Sequence, residues 1–172
     1  LRAERAVLRE KARAEDLLLN ILPKPIADRL QQSPTTIADG YPAASVLFSD
    51  LVGFTALCKE MPPEDLVKLL NRIFVSFDDL TETFGLEKIK TIGDAYMVAS
   101  GLPTARPDHA EAAADMAMEM LRTVETLSAE LRRPLHIRIG INSGPVIAGV
   151  IGKKRFIYDL WGDAVNVAAR ME

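Results

Sequence analysis

Apolar and polar residues alternate along the chain in blocks of two periods, and the blocks set out most of its elements. Residues 44–49 are almost wholly apolar, follow Gly40 and Pro42, and predict a strand from Ala44 to Ser49. Leu66, Leu69, Leu70, Ile73, Phe74, Phe77 and Leu80 recur at helical spacing behind Pro63, so a long helix is expected there, ending at Gly85. Residues 87–99 read as two short strands around the turn signal Gly93-Asp94. A further long helix is expected from His109 to Leu131. Leu135, Ile137, Ile139 and Ile141 alternate with polar residues as a strand to Asn142. Ser143-Gly144-Pro145 predicts a turn, Val146 to Ile151 another strand, and Ala164 to Met171 a last helix.

Upstream, residues 1–22 carry no Gly or Pro and are rich in Ala, Leu, Glu and Arg, which predicts a helix. Its seven-residue repeat is weakened by Glu4, Lys11 and Glu15, so a coiled coil is poorly specified. Pro23 and Pro25 break it. A short helix follows from Ile26, and Ser33 to Pro42 reads as a polar connection. The expected organisation is an N-terminal helix and connector over residues 1–42, then one domain over 43–172. The expected fold is α+β: a ferredoxin-like antiparallel sheet with helices on one face.

Composition narrows the chemistry. The chain has 172 residues, 48% hydrophobic and 26% charged, with a formal net charge of −3. It is long enough for one well-formed core. No basic tract stands out, which argues against nucleic acid as a partner. One cysteine, Cys58, excludes an internal disulfide and is expected to be buried; two histidines, His109 and His136, are too few for a histidine metal cluster. No apolar run reaches the roughly 18 residues of a spanning helix, and no leader is evident, which suits a cytoplasmic domain.

Two carboxylates carry the sharpest signal. Asp50 closes the 44–49 strand and precedes a turn, Gly53, and a helix start at Thr55. By itself this fits a helix cap as well as a cation ligand. Asp94 sits in the Gly93-Asp94 turn. If that hairpin lies beside the first strand, the two acids converge next to a helix N-terminus, the protein half of a magnesium–nucleotide site.

Four ordered stretches then coincide with one family. Residues 48–55 (FSDLVGFT), 90–97 (KTIGDAYM), 139–145 (IGINSGP) and 158–171 (YDLWGDAVNVAARM) resemble the class III adenylyl/guanylyl cyclase catalytic domain. Asn20-Ile21-Leu22-Pro23 resembles the segment that joins a signalling helix to such domains. The resemblance implies an enzyme that makes a 3′,5′-cyclic nucleotide and pyrophosphate by in-line attack of the ribose 3′ oxygen on the α-phosphorus. It implies Asp50, Asp94 and the Leu51 carbonyl as ligands of two Mg2+ or Mn2+ ions. Amides near Phe54 and Thr55, and the Arg138 side chain, would meet the phosphates. Asn166 and Arg170 correspond to the residues that orient the ribose and stabilise the transition state.

Lys90 and Asp159 match the family's purine-selecting pair. Lysine donates to adenine N1 and aspartate accepts from the N6 amino group, whereas guanine reverses both polarities. ATP is therefore the expected substrate. The resemblance further implies a homodimer with shared sites; an upstream sensor or membrane domain is a further candidate partner. The family's domains continue beyond the Met171 position, so the 43–172 domain is expected to lack its C-terminal part. A guanylyl cyclase, or a nucleotide-binding or dimerising regulatory module without turnover, stands as the alternative.

Overall fold

The computed structural model describes residues 20–32, 36–152 and 155–172, together with Val7, Glu10, Ala12, Arg13 and Leu17. The helix expected over 1–22 lies largely outside the described residues. The elements are α1 (Lys24–Gln32), β1 (Ile37–Leu51), α2 (Phe54–Glu60), α3 (Pro63–Phe84), β2 (Glu87–Ile92), β3 (Ala95–Ser100), α4 (His109–Leu131), β4 (Ile137–Ile151), β5 (Ile157–Trp161) and α5 (Asp163–Met171).

The five strands form one sheet in the order β2-β3-β1-β4-β5, and every neighbouring pair is antiparallel. Each helical crossover, β1 to β2 and β3 to β4, skips one strand. That is the split βαβ arrangement of a ferredoxin-like core, with β5 added at one edge.

Two strands are longer than the sequence pattern predicts. β1 starts at Ile37, not Ala44, so residues 37–42 are strand where a polar connection is expected. β4 runs unbroken through Ser143-Gly144-Pro145, where a turn is expected. The register explains both. Tyr41 faces Val146 and Ala44 faces Gly144, so Pro42 and Ala43 together oppose Pro145. The bulge puts both prolines where the ladder is already interrupted, and neither missing N–H costs a sheet hydrogen bond.

The long helices α3 and α4 pack on one face, against Leu47, Leu51, Tyr96 and Val98. The other face is also covered. Leu22 with Ile26 and Ala27 of α1, and Ala164 with Ala168 of α5, bury against Val46, Phe48, Met97 and Ala99. Helices on one face only is thus corrected to two long helices on one side and two short ones on the other. The physical reason lies in β1 itself: Ala44 to Phe48 are buried at every position, and a strand without alternation is one covered on both sides. Gly140 lets α5 lie flat on β4, because a Cβ there would strike the Ala168 carbonyl and the Glu172 amide. Ser45, fully buried, ties the layers by bonding His109 Nδ1 at 2.8 Å and Ser143 Oγ at 2.6 Å. Cys58 is exposed, against expectation, because the seven-residue α2 buries no residue.

Candidate active site

The end of β1 gathers the first group. Asp50 faces Arg138 directly across the β1–β4 ladder. Arg138 Nε donates to Asp50 Oδ1 at 2.9 Å and Nη2 donates to Oδ2, a two-pronged ion pair. Asp94 occupies the two-residue turn between β2 and β3, where Gly93 takes φ +60° and Ile92 pairs with Ala95. From there Asp94 Oδ2 accepts the Leu51 amide at 3.2 Å. The hairpin therefore brings Asp94 to the residue that follows Asp50. The hydrogen bond and charge of Asp50 raise the Arg138 pKa, and the charge of Asp94 adds to the effect. Glu172 lies in the same field. Burial raises its pKa first, the charge of Asp50 raises it further, and Arg138 opposes the rise.

The turn beyond β1 is held by the Val52 amide, which donates to the His136 carbonyl at 2.9 Å. Gly53, at φ +74°, then starts α2, and its carbonyl accepts from the Ala56 and Leu57 amides. The amides of Phe54 and Thr55 lie in the first turn, where helix geometry offers no acceptor. Among the described residues no three His, Cys, Asp or Glu side chains cluster as a metal site. What the first group offers a cation is two hard carboxylates and the backbone between them, a donor set that fits Mg2+ or Mn2+.

The second group joins the two edge strands. Lys90 on β2 and Asp159 on β5 form an ion pair at 2.6 Å, and Asp159 Oδ1 also accepts the Leu160 amide at 2.8 Å. Strands at opposite ends of the sheet order can meet only because the sheet curls strongly. The buried Tyr158 lies next to Asp159, and burial drives the pKa of its hydroxyl upward. Glu87, three residues before Lys90, is largely buried, and desolvation pushes its carboxyl up to about 7.

The third group is on α5. Ala164 and Ala168 face the sheet, and the same period leaves Asn166 and Arg170 exposed, one turn apart. Among the described residues, no hydrogen bond or ion pair links the three groups. The structure thus brings Asp50, Asp94 and Arg138 together, and Lys90 with Asp159, while Asn166 and Arg170 are exposed on α5 and bond to neither pair among the described residues. The Asp50–Arg138 pairing was not read from the sequence. Its signal was the β-register, which cannot be fixed while β4 is expected to break at Ser143.

Residues 37–172 match the family described as Adenylate and Guanylate cyclase catalytic domain. An adenylate cyclase of Mycobacterium tuberculosis is 51% identical over 172 residues, covering 99% of this chain and 39% of the relative. The human atrial natriuretic peptide receptor 2 is 45% identical over 171 residues, covering 97% of this chain and 16% of the receptor. The chain thus spans well under half the length of these curated relatives. Among solved structures, the adenylyl cyclase CyaB from P. aeruginosa superposes with a TM-score of 0.74 at 32% identity, over 78% of this chain and 72% of that one. With the ferredoxin-like sheet and the sequence match over β1 to α5, the chain belongs to the adenylate and guanylate cyclase catalytic domain family.

Proposed function

We propose that the chain is the catalytic unit of an adenylyl cyclase, which converts ATP to 3′,5′-cyclic AMP and pyrophosphate at sites shared by two copies. The observation that carries this reading is the Lys90–Asp159 pair. It offers one donor and one acceptor at 2.6 Å from each other in a partly enclosed place. Adenine presents the complementary edge, an acceptor at N1 beside a donor at N6. Guanine presents a donor beside an acceptor and would meet like against like. Kinship to guanylate cyclases as well as adenylate cyclases leaves the base to be decided by these side chains.

In this reading the ribose 3′ oxygen forms a bond to the α-phosphorus while the bond from that phosphorus to the bridging β-phosphate oxygen breaks. The 3′ hydroxyl proton passes to water, and pyrophosphate departs with the electron pair. Asp50, Asp94 and the Leu51 carbonyl would hold Mg2+ or Mn2+, which supplies Lewis-acid stabilisation and lowers the pKa of the attacking hydroxyl. Arg138 and the amides of Phe54 and Thr55 bind phosphate oxygens. Asn166 orients the ribose, and the Arg170 guanidinium neutralises charge that develops on the α-phosphate.

The dimer belongs to the same proposal. Asn166 and Arg170 are exposed on α5 and make no bond to Asp50 or Asp94 among the described residues, and a second copy of this chain is proposed to bring the two sets together. No helix among the described residues is long and apolar enough to cross a membrane. An upstream sensor or membrane segment is proposed to act through residues 1–42 on a cytoplasmic catalytic domain. The test is to incubate the protein with ATP or GTP and manganese and to quantify cyclic products. Cyclic AMP from ATP in large excess over cyclic GTP from GTP is expected. The reverse preference would overturn the adenylyl assignment, and no product from either would favour a binding module.

A further inference from the structure

We infer that Arg138 is an exchangeable counter-ion: it forks the Asp50 carboxylate and must leave when a divalent cation binds. The inference rests on the reading of Asp50 as a cation ligand. Three observations carry it. Asp50 and Arg138 are direct partners in the β1–β4 register, so the backbone presents them to each other. Both carboxylate oxygens of Asp50 are taken, one by Nε and one by Nη2 of the same guanidinium. The side chains differ in freedom: Asp50 is 16% exposed and Arg138 is 57% exposed. The carboxylate is fixed at the strand end, while the guanidinium can swing into solvent on its long stem.

A cation cannot take an oxygen of Asp50 without weakening that fork, and its charge would repel the guanidinium at close range. Cation binding and Arg138 release are therefore one linked equilibrium. Linkage is reciprocal, so a polyphosphate that draws Arg138 away leaves Asp50 free and strengthens cation binding. The arrangement favours a cation that arrives with a triphosphate over a cation alone. It also offsets the charge of the two acids near the Asp50–Leu51 strand end.

The test measures Mn2+ binding without nucleotide, by the electron paramagnetic resonance signal of free Mn2+, for the wild-type chain, Arg138→Gln, Arg138→Lys and Asp50→Asn. Arg138→Gln should bind Mn2+ roughly three- to thirty-fold more tightly than wild type, the range expected when a partly exposed ion pair and its repulsion are removed. Arg138→Lys keeps the charge but loses the fork and should fall between the two. Asp50→Asn should bind weakly. Binding by Arg138→Gln that is no tighter than wild type, including no detectable binding in either, would overturn the counter-ion role. Unchanged binding in Asp50→Asn would instead overturn the reading of Asp50 as a ligand. Melting curves on the same samples report whether each variant is folded.

Discussion

Two of the cation–aspartate pairs look alike and are built in opposite ways. Arg138–Asp50 joins immediate neighbours in the middle of the sheet, fixed by β-register and open to solvent on the arginine side. Lys90–Asp159 joins the two outermost strands and is more enclosed, with side chains 34% and 14% exposed. The first pair is local and can open without disturbing the fold. The second exists only while the sheet keeps its curl, so it reads a shape that the whole domain maintains. A displaceable pair suits ions and phosphates, whereas a pair held by the fold suits a flat base whose edge must be matched.

The largest effect should come from the first region. Asp50→Ala or Asp94→Ala removes a proposed metal ligand and the several kcal/mol of stabilisation that goes with it. Cyclic AMP formation should fall by about three powers of ten or more, while circular dichroism stays that of the wild type. Near-normal turnover at ordinary magnesium would remove these acids from the chemistry.

The next effect belongs to the second region and should appear as selectivity more than rate. In Lys90→Glu with Asp159→Cys, both proposed contacts to adenine lose their polarity match. At about 1–3 kcal/mol for each mismatched buried contact, the ATP to GTP turnover ratio should drop by roughly one to four powers of ten. Steady-state assays on both nucleotides measure it. A ratio that does not move would mean the pair only closes the sheet edges.

A smaller effect separates the regions by pH. Glu87 opens β2, the strand that carries Lys90, and burial lifts its pKa to about 7 from 4.5. The folded state therefore holds this proton more tightly than the unfolded chain. Stability should fall as pH rises from about 4.5 to 7 and then level off. Glu87→Gln should flatten that dependence and gain up to about 3 kcal/mol above pH 7, read from urea titrations at pH 5 and pH 8. Equal pH dependence in variant and wild type would show that Glu87 is hydrated in the folded state.

Much of this was legible in the sequence because it depends on short-range signals. The β1 end with Asp50, the Gly93-Asp94 turn and the face of α5 each follow from a few neighbouring residues and reappear in the structure. The stripe of α3 does too, with Leu69, Ile73 and Phe77 buried. What could not be read depends on pairing at a distance. Pro42 and Pro145 each look like a strand breaker alone, and only their meeting at one bulge makes both harmless. Cover on the second face of the sheet comes from short helices whose few small residues, Ala164 and Ala168, give a weak apolar signal. The Lys90–Asp159 contact requires sheet curl, which no local pattern encodes.

The central claim is that one chain carries two halves of a site and that a second copy completes it. Mixing Asp50→Ala with Arg170→Ala, each inactive alone, tests it most directly. Subunit exchange should pair an intact acid end with an intact α5, so the mixture should recover part of the wild-type cyclic AMP production. No recovery, with exchange demonstrated independently by fluorescence energy transfer between labelled chains, would show that each chain builds its site alone and would contradict the account.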